Sequence, residues 1–187
     1  MFIPLRGATG PWLQAAWGNT RADATGIGMA STAKRLLMLD DESDYDSRCQ
    51  QLRQENAALL DDFRRWLKKA DLGEITIRSH CTNVDFYLNH FLLYADTVTP
   101  AEGVGTVGEF LGDWFIHKAM WSNKTTVKAN AASIKKFYAF MAERGLVKPE
   151  ELATLKQQTK DELSDWLGAV ERYNNPDVDL FEDAWPI

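Results

Sequence analysis

His80, His90 and His117, together with Cys81, are the side chains of this 187-residue chain best suited to hold a metal. Two ligands on one helix face need a separation of three or four residues. No pair of these histidines has it, and no His-Glu-x-x-His or Cys-x-x-Cys run occurs. His80 also falls on an apolar helical stripe, where a hydrogen-bonded structural imidazole is the expected outcome. Nucleophilic chemistry fares no better. There is no Gly-x-Ser-x-Gly elbow, no Gly-x-x-x-x-Gly-Lys or Gly-x-Gly-x-x-Gly phosphate loop, and no carboxylate pair set against a pocket. The expectation is a protein that is not an enzyme and that uses no metal, no cofactor and no small-molecule substrate.

What remains is electrostatic. On a helix running from Lys124 to Arg144, at about 100° per residue, Lys124, Lys128 and Lys135 fall within about 40° of one another. Ile134 and Met141 lie roughly at right angles to them. An apolar flank on a bundle with a lysine ridge turned outward suits a helix that lies along a phosphate backbone or enters a major groove. Thr125, Thr126 and Asn130 add neutral hydrogen-bonding groups near the helix start, where free backbone N–H groups favour phosphate. The competing reading is an ordinary solvated lysine face, and spacing alone does not separate the two. Thr76 and Arg78, on an earlier helix, extend the basic surface in the first reading. Arg64, Arg65, Lys68 and Lys69 sit at a helix C-terminus, where cations already complement the dipole, so they are expected to be decoration. The aromatic block 114–121 reads as core rather than as a base-stacking platform.

Helices must position these groups. Residues 1–46 carry five glycines and end in the acidic run Asp40–Asp46, which reads as a weakly ordered arm with an acidic linker; Met29 offers a second, more ordinary beginning. Residues 47–147 read as a helical domain. Its first helix, about 47–70, aligns Leu52, Leu59, Leu60, Phe63, Trp66 and Leu67, and Gly73 breaks it. The second, about 76–95, has two apolar stripes, Ile77, His80, Val84, Leu88 and Phe91 on one and Phe86 and Leu93 on the other, as in a helix with neighbours on both sides. Arg78, Asp85 and Asn89 form a polar strip between them. The third helix is expected at about 106–120. The fourth, about 124–144, is capped by Ser122-Asn123 and closed by Gly145. Residues 148–172 form an additional helix with Pro149 at its first position, and residues 173–187 an acidic tail with Phe181 and Trp185. No segment alternates with period two, so the chain reads as all-α.

Composition bounds the rest. With 45% apolar and 11% aromatic residues the chain can fill a core. Two cysteines, Cys49 and Cys81, give no disulfide framework and fit a reducing compartment. No apolar run approaches the roughly 18–20 residues of a membrane span, and the first residues lack a secretory pattern, so a soluble, cytoplasmic protein with no membrane partner is expected. The net charge of −6 argues against a polyanionic partner. Its distribution argues otherwise: residues 1–62 carry −3, residues 63–145 carry +3 and residues 146–187 carry −6.

The run Leu72-Gly73-Glu74-Ile75-Thr76-Ile77-Arg78-Ser79-His80, followed by Val84, Tyr87, Leu88 and Phe91, resembles the second-helix signature of the N-terminal core-binding (SAM-like) domain of tyrosine recombinases, the phage integrase family. Val107-Gly108-Glu109-Phe110-Leu111, Asn123 to Val127, Ile134 to Met141 and Glu143 to Val147 come in the order and spacing of that domain, so the likeness covers about residues 55–147. The resemblance implies a four-to-five-helix orthogonal bundle that grips duplex DNA, with Thr76, Arg78, Lys124, Thr125, Lys128 and Lys135 facing it. It also implies accessory contact beside a separate recombinase subunit, or self-association. The chain departs from the family in lacking the catalytic domain's Arg, Lys, His-x-x-Arg and tyrosine nucleophile: no histidine comes after His117, and Tyr173 has no such partners. His80 stands where the family has tyrosine, and the acidic C-terminal segment is foreign to a DNA clamp. A non-catalytic DNA-binding domain is therefore expected. The alternative is a protein–protein interaction bundle that kept the fold and lost DNA.

Overall fold

A computed structural model describes the backbone of residues 27–175 and the side chains of residues 44–175. The arm of residues 1–26 and the tail of residues 176–187 lie outside these. The chain divides into two compact units, Met1–Asp41 and Glu42–Ile187, and the functional candidates all belong to the second. Every regular element among the described residues is helical.

Helix α1 runs over Ile27–Lys69. It therefore begins well before residue 47, and the acidic run Asp40–Asp46 belongs to the helix rather than to a linker. The physical reason is in the sequence: residues 30–39 are rich in Ala, Leu, Met, Lys and Arg, and no Gly or Pro interrupts the acidic stretch after them. The helix stops through Asp71, which adopts a left-handed φ of 56°. Gly73, expected to make the break, has an ordinary φ of −64° and caps α2. Aspartate is among the few non-glycine residues that tolerate this conformation.

Helix α2 runs as Glu74–Phe86 and continues as a π turn over Tyr87–Phe91. A 3-10 turn, Glu102–Thr106, leads into α3, which comprises Val107–Glu109, a π turn over Phe110–Trp114, and Phe115–Lys118. The two π turns face each other: Tyr87 and Phe91 stand 5.0 and 5.1 Å from Phe110, and Phe91 stands 5.5 Å from Trp114. A π turn adds a residue and rotates the next stretch of helix, so several large rings reach one interface that a regular helix would spread around its circumference.

Helices α4, Lys124–Glu143, and α5, Pro149–Tyr173, complete the fold. Asn123 Oδ1 accepts from the N–H groups of Thr125 (2.9 Å) and Thr126 (3.0 Å), and the Thr126 hydroxyl accepts from the Asn123 N–H (2.9 Å). This is a reciprocal capping box. Gly145, at φ 70°, closes α4 as expected. Helix α4 packs along both α2 and α5, and α1 meets it through Phe63 against Phe137 (5.4 Å) and Phe140 (5.6 Å). Val127, Ile134, Phe137 and Tyr138 of α4 are fully buried, as are Leu67, Val84, Leu88, Phe110, Phe115 and Val170 around it. Both apolar stripes of α2 find partners, Ile77, Val84 and Leu88 in this core and Phe86 among the rings of α3.

Candidate nucleic-acid interface

Packing on three sides leaves α4 one open arc, and the lysines lie along it. Lys128 is exposed, Lys135 and Lys136 are half-buried, and none has a carboxylate partner among the described residues. Between them lies Ala132, exposed, one turn after Lys128 and one turn before Lys136. A methyl floor framed by ammonium groups lets a flat, charged backbone approach closely.

Lys124 is different. Its Nζ lies 2.7 Å from Glu171 Oε1 on α5. The expected ridge of Lys124, Lys128 and Lys135 is thus broken at its first member, because the helix that packs beside α4 carries an acid at that height. The start of α4 also offers less to an anion than expected. The N–H groups of Thr125 and Thr126 are taken by the Asn123 cap. Asn130, expected to be available at the surface, is buried and donates to the Thr126 carbonyl (2.9 Å). Thr125 remains exposed beside Lys124.

On the side of α4 that faces α2, polar groups form a continuous seam. Ser133 Oγ donates to the Ala129 carbonyl (2.7 Å) and accepts from Asn83 Nδ2 (2.9 Å), and His80 Nδ1 lies 2.9 Å from the same oxygen. Because the single hydroxyl proton is directed at Ala129, His80 Nδ1 must carry a proton, which leaves Nε2 as the acceptor of a neutral ring. Burial, reinforced by the nearby Lys136 charge, pushes the His80 pKa below its usual value and keeps the ring neutral. Thr76 is exposed one turn before His80 on the same helix. His80 therefore holds the structural role expected of it, at the rim of the lysine arc.

Arg78 is not part of this arc. It lines a groove of about 320 Å³ between α1 and α2 with Arg64, Asp61, Asp85 and Asn89, and no α4 residue borders that groove. The basic end of α1 is engaged locally, Arg65 with Asp62 and Lys68 with Glu74 (3.7 Å). His90 stacks on Phe86 (5.1 Å), and His117 Nδ1 lies 3.2 Å from Asp113, so the three histidines have separate partners. Of the aromatic block, Phe115 and Ile116 are core and Trp114 is half-buried, whereas Met120 and Trp121 are exposed.

The structure thus brings together Lys128 and Lys135 on one arc, pairs Lys124 with Glu171, leaves Thr76 exposed on α2 one turn before His80, and sets Arg78 apart. Sequence reasoning missed Lys136. It lies about 80° around the helix from Lys128, outside the narrow stripe centred on Lys124. The signal available was the alanines Ala129, Ala132 and Ala139, which extend the open arc beyond the stripe of Lys124, Lys128 and Lys135 to the side where Lys136 lies. Comparison with protein-family models, with curated proteins and with solved structures found no match to this chain.

Proposed function

We propose that this chain is a non-catalytic DNA-binding domain of the kind found as the core-binding domain of tyrosine recombinases, and that it contacts the duplex through the open arc of α4. The observation that carries this reading is the trio of lysines, Lys128, Lys135 and Lys136, that have no carboxylate partner among the described residues and stand around the exposed methyl of Ala132. Ammonium groups on a rigid helix neutralise phosphates without ordering a loop. The small residue between them keeps the backbone within reach, and exposed Thr76 on α2 offers a neutral donor. The sequence likeness over residues 55–147 and the all-helical bundle support the same reading. Lys124 and Arg78 take a secondary part, the first held by Glu171 and the second on another face.

The test is fluorescence anisotropy with a labelled duplex at low salt. The parent chain binds, and the Lys128→Gln/Lys135→Gln/Lys136→Gln variant, which keeps the apolar stems, loses binding and most of its salt dependence. No binding by the parent to any duplex at low salt refutes the reading. Exposed Met120 and Trp121 favour a second reading, a protein-interaction bundle. Light scattering that finds a larger species than the monomer, with no DNA binding, would select it.

A further inference from the structure

The last turn of α5 delivers the chain to the start of α4. Asn174 Nδ2 donates to the Ser122 carbonyl (2.8 Å), Glu171 holds Lys124, and a cleft of about 670 Å³ opens between the two helices, bordered by Asn123, Lys124, Thr125, Glu171 and Asn174. On one side of this exit the loop before α4 presents Met120, fully exposed, and Trp121, 57% exposed. That loop is fixed: Ser122 Oγ donates to the Ile116 carbonyl (2.9 Å) and the Thr126 hydroxyl to the Trp121 carbonyl (3.2 Å). On the other side Lys124, Lys128, Lys135 and Lys136 lead away along α4. The surface around the exit is therefore apolar on one flank and cationic on the other.

The described residues end at Asn175 and the sequence continues for twelve more, Pro176 to Ile187. These carry Asp177, Asp179, Glu182 and Asp183, no Lys or Arg, and the apolar Leu180, Phe181 and Trp185 among them. Twelve residues reach up to about 40 Å when extended, whereas the lysines from 124 to 136 occupy about 18 Å of helix. Tethering at the edge of the surface raises the effective concentration to about the millimolar range, so individually weak ion pairs suffice. We infer that residues 176–187 dock on this surface of their own chain, carboxylates along the α4 lysines and apolar side chains on Met120 and Trp121, and so compete with any polyanion for the lysine arc. The Glu171–Lys124 pair is the first contact of that kind, already made by the helix from which the segment issues. The competition rests on the DNA reading above; the contact itself does not.

Zero-length carbodiimide cross-linking of the full chain, with peptide mass spectrometry of the monomer fraction, reads the contact directly. Links from Lys124, Lys128, Lys135 or Lys136 to Asp177, Asp179, Glu182 or Asp183 are expected, and high salt abolishes them. The Lys124–Glu171 link serves as internal control: its appearance without any link to residues 177–183 overturns the inference. In parallel, the full-length Asp177→Asn/Asp179→Asn/Glu182→Gln/Asp183→Asn variant should bind a labelled duplex roughly tenfold more tightly than the parent. Equal binding by the two overturns the competition. If neither binds while the cross-links form, the docked segment stands and the DNA reading fails.

Discussion

Replacing Glu171 by Gln removes the one carboxylate that, among the described residues, pairs with a ridge lysine, and should restore that lysine to the proposed DNA-binding surface. Both side chains of the Lys124–Glu171 pair are largely exposed, 48% and 65%, so the fold loses at most about 1 kcal/mol. The effect on binding is larger. Each neutralised phosphate contributes about −0.9 to the slope of log affinity against log salt concentration. Three contacts, from Lys128, Lys135 and Lys136, give a slope of about −2.7, or roughly a 40-fold loss between about 50 and 200 mM salt. A fourth contact from released Lys124 steepens the slope to about −3.6, or roughly a 150-fold loss over the same interval. The assay is anisotropy on one duplex across that salt range, comparing parent, Glu171→Gln, Lys124→Ala and the double variant. Lys124→Ala alone should leave the slope nearly unchanged, yet abolish the steepening caused by Glu171→Gln. Glu150→Gln makes the same change in net charge about 30 Å away along α5 and should alter nothing. If Glu150→Gln and Glu171→Gln behave alike, net charge rather than local geometry governs binding and the reasoning fails.

The remaining predictions concern the seam beneath the lysines and the helix contacts that hold it. His80 is kept neutral in the fold, with its pKa depressed below the unfolded value of about 6.5, so below that pH the unfolded chain binds the extra proton first. Its contribution to stability should be fully present above about pH 6.5 and fall as the solution is acidified through the folded pKa. Urea titrations at several pH values should show this in the parent and a shallower dependence in His80→Asn, where an amide can replace the Nδ1 donor; equal slopes would refute the assignment. A Cβ at Gly112 would lie 3.0 Å from the ring of Trp166, itself only 5% exposed, so Gly112→Ala should destabilise by about 1–3 kcal/mol in thermal or urea unfolding. At Gly108 the nearest atoms are the ends of Gln158 and Glu162, which can swing away, so Gly108→Ala should be neutral or stabilise by up to about 1 kcal/mol.

The elements that could be read from the sequence are those set by local chemistry. The period of Val127, Ala131, Ile134, Tyr138 and Met141 places α4, and Asn123 and Gly145 mark its ends within a residue, because capping and left-handed closure depend on neighbours only. Pro149 with Glu150 and Glu151 does the same for the start of α5. Three features escape for the opposite reason. The π turns of α2 and α3 arise where two aromatic faces meet, which no single-helix period contains. The early start of α1 is hidden by a run of charges that reads as a linker, although charge without Gly or Pro does not stop a helix. The pairing of Lys124 joins residues 47 positions apart, and a helical wheel shows where a lysine sits on its own helix but not what the next helix brings to it. For the same reason Arg78 and the α4 lysines, which read as one basic surface, lie on different sides of α2.

At physiological ionic strength fields decay over about 8 Å, so a phosphate on α4 does not sense the net −6 of the whole chain. It senses what lies within a turn or two of Ala132. There three ammonium groups stand within about 12 Å of helix axis, and at the Lys124 end of the same arc the end of α5 brings Glu171. The sequence after Asn175 carries four more carboxylates. On the docking inferred above, the sign of the local potential would be decided at the junction of α4 and α5, by whether Glu171 and the residues beyond it are seated or displaced. The same chain can present a cationic or a neutralised surface with no rearrangement of its core. On the proposed reading, a duplex that displaced those acids would gain the lysines they cover, including Lys124, so duplex binding and tail docking would oppose each other at one set of amines.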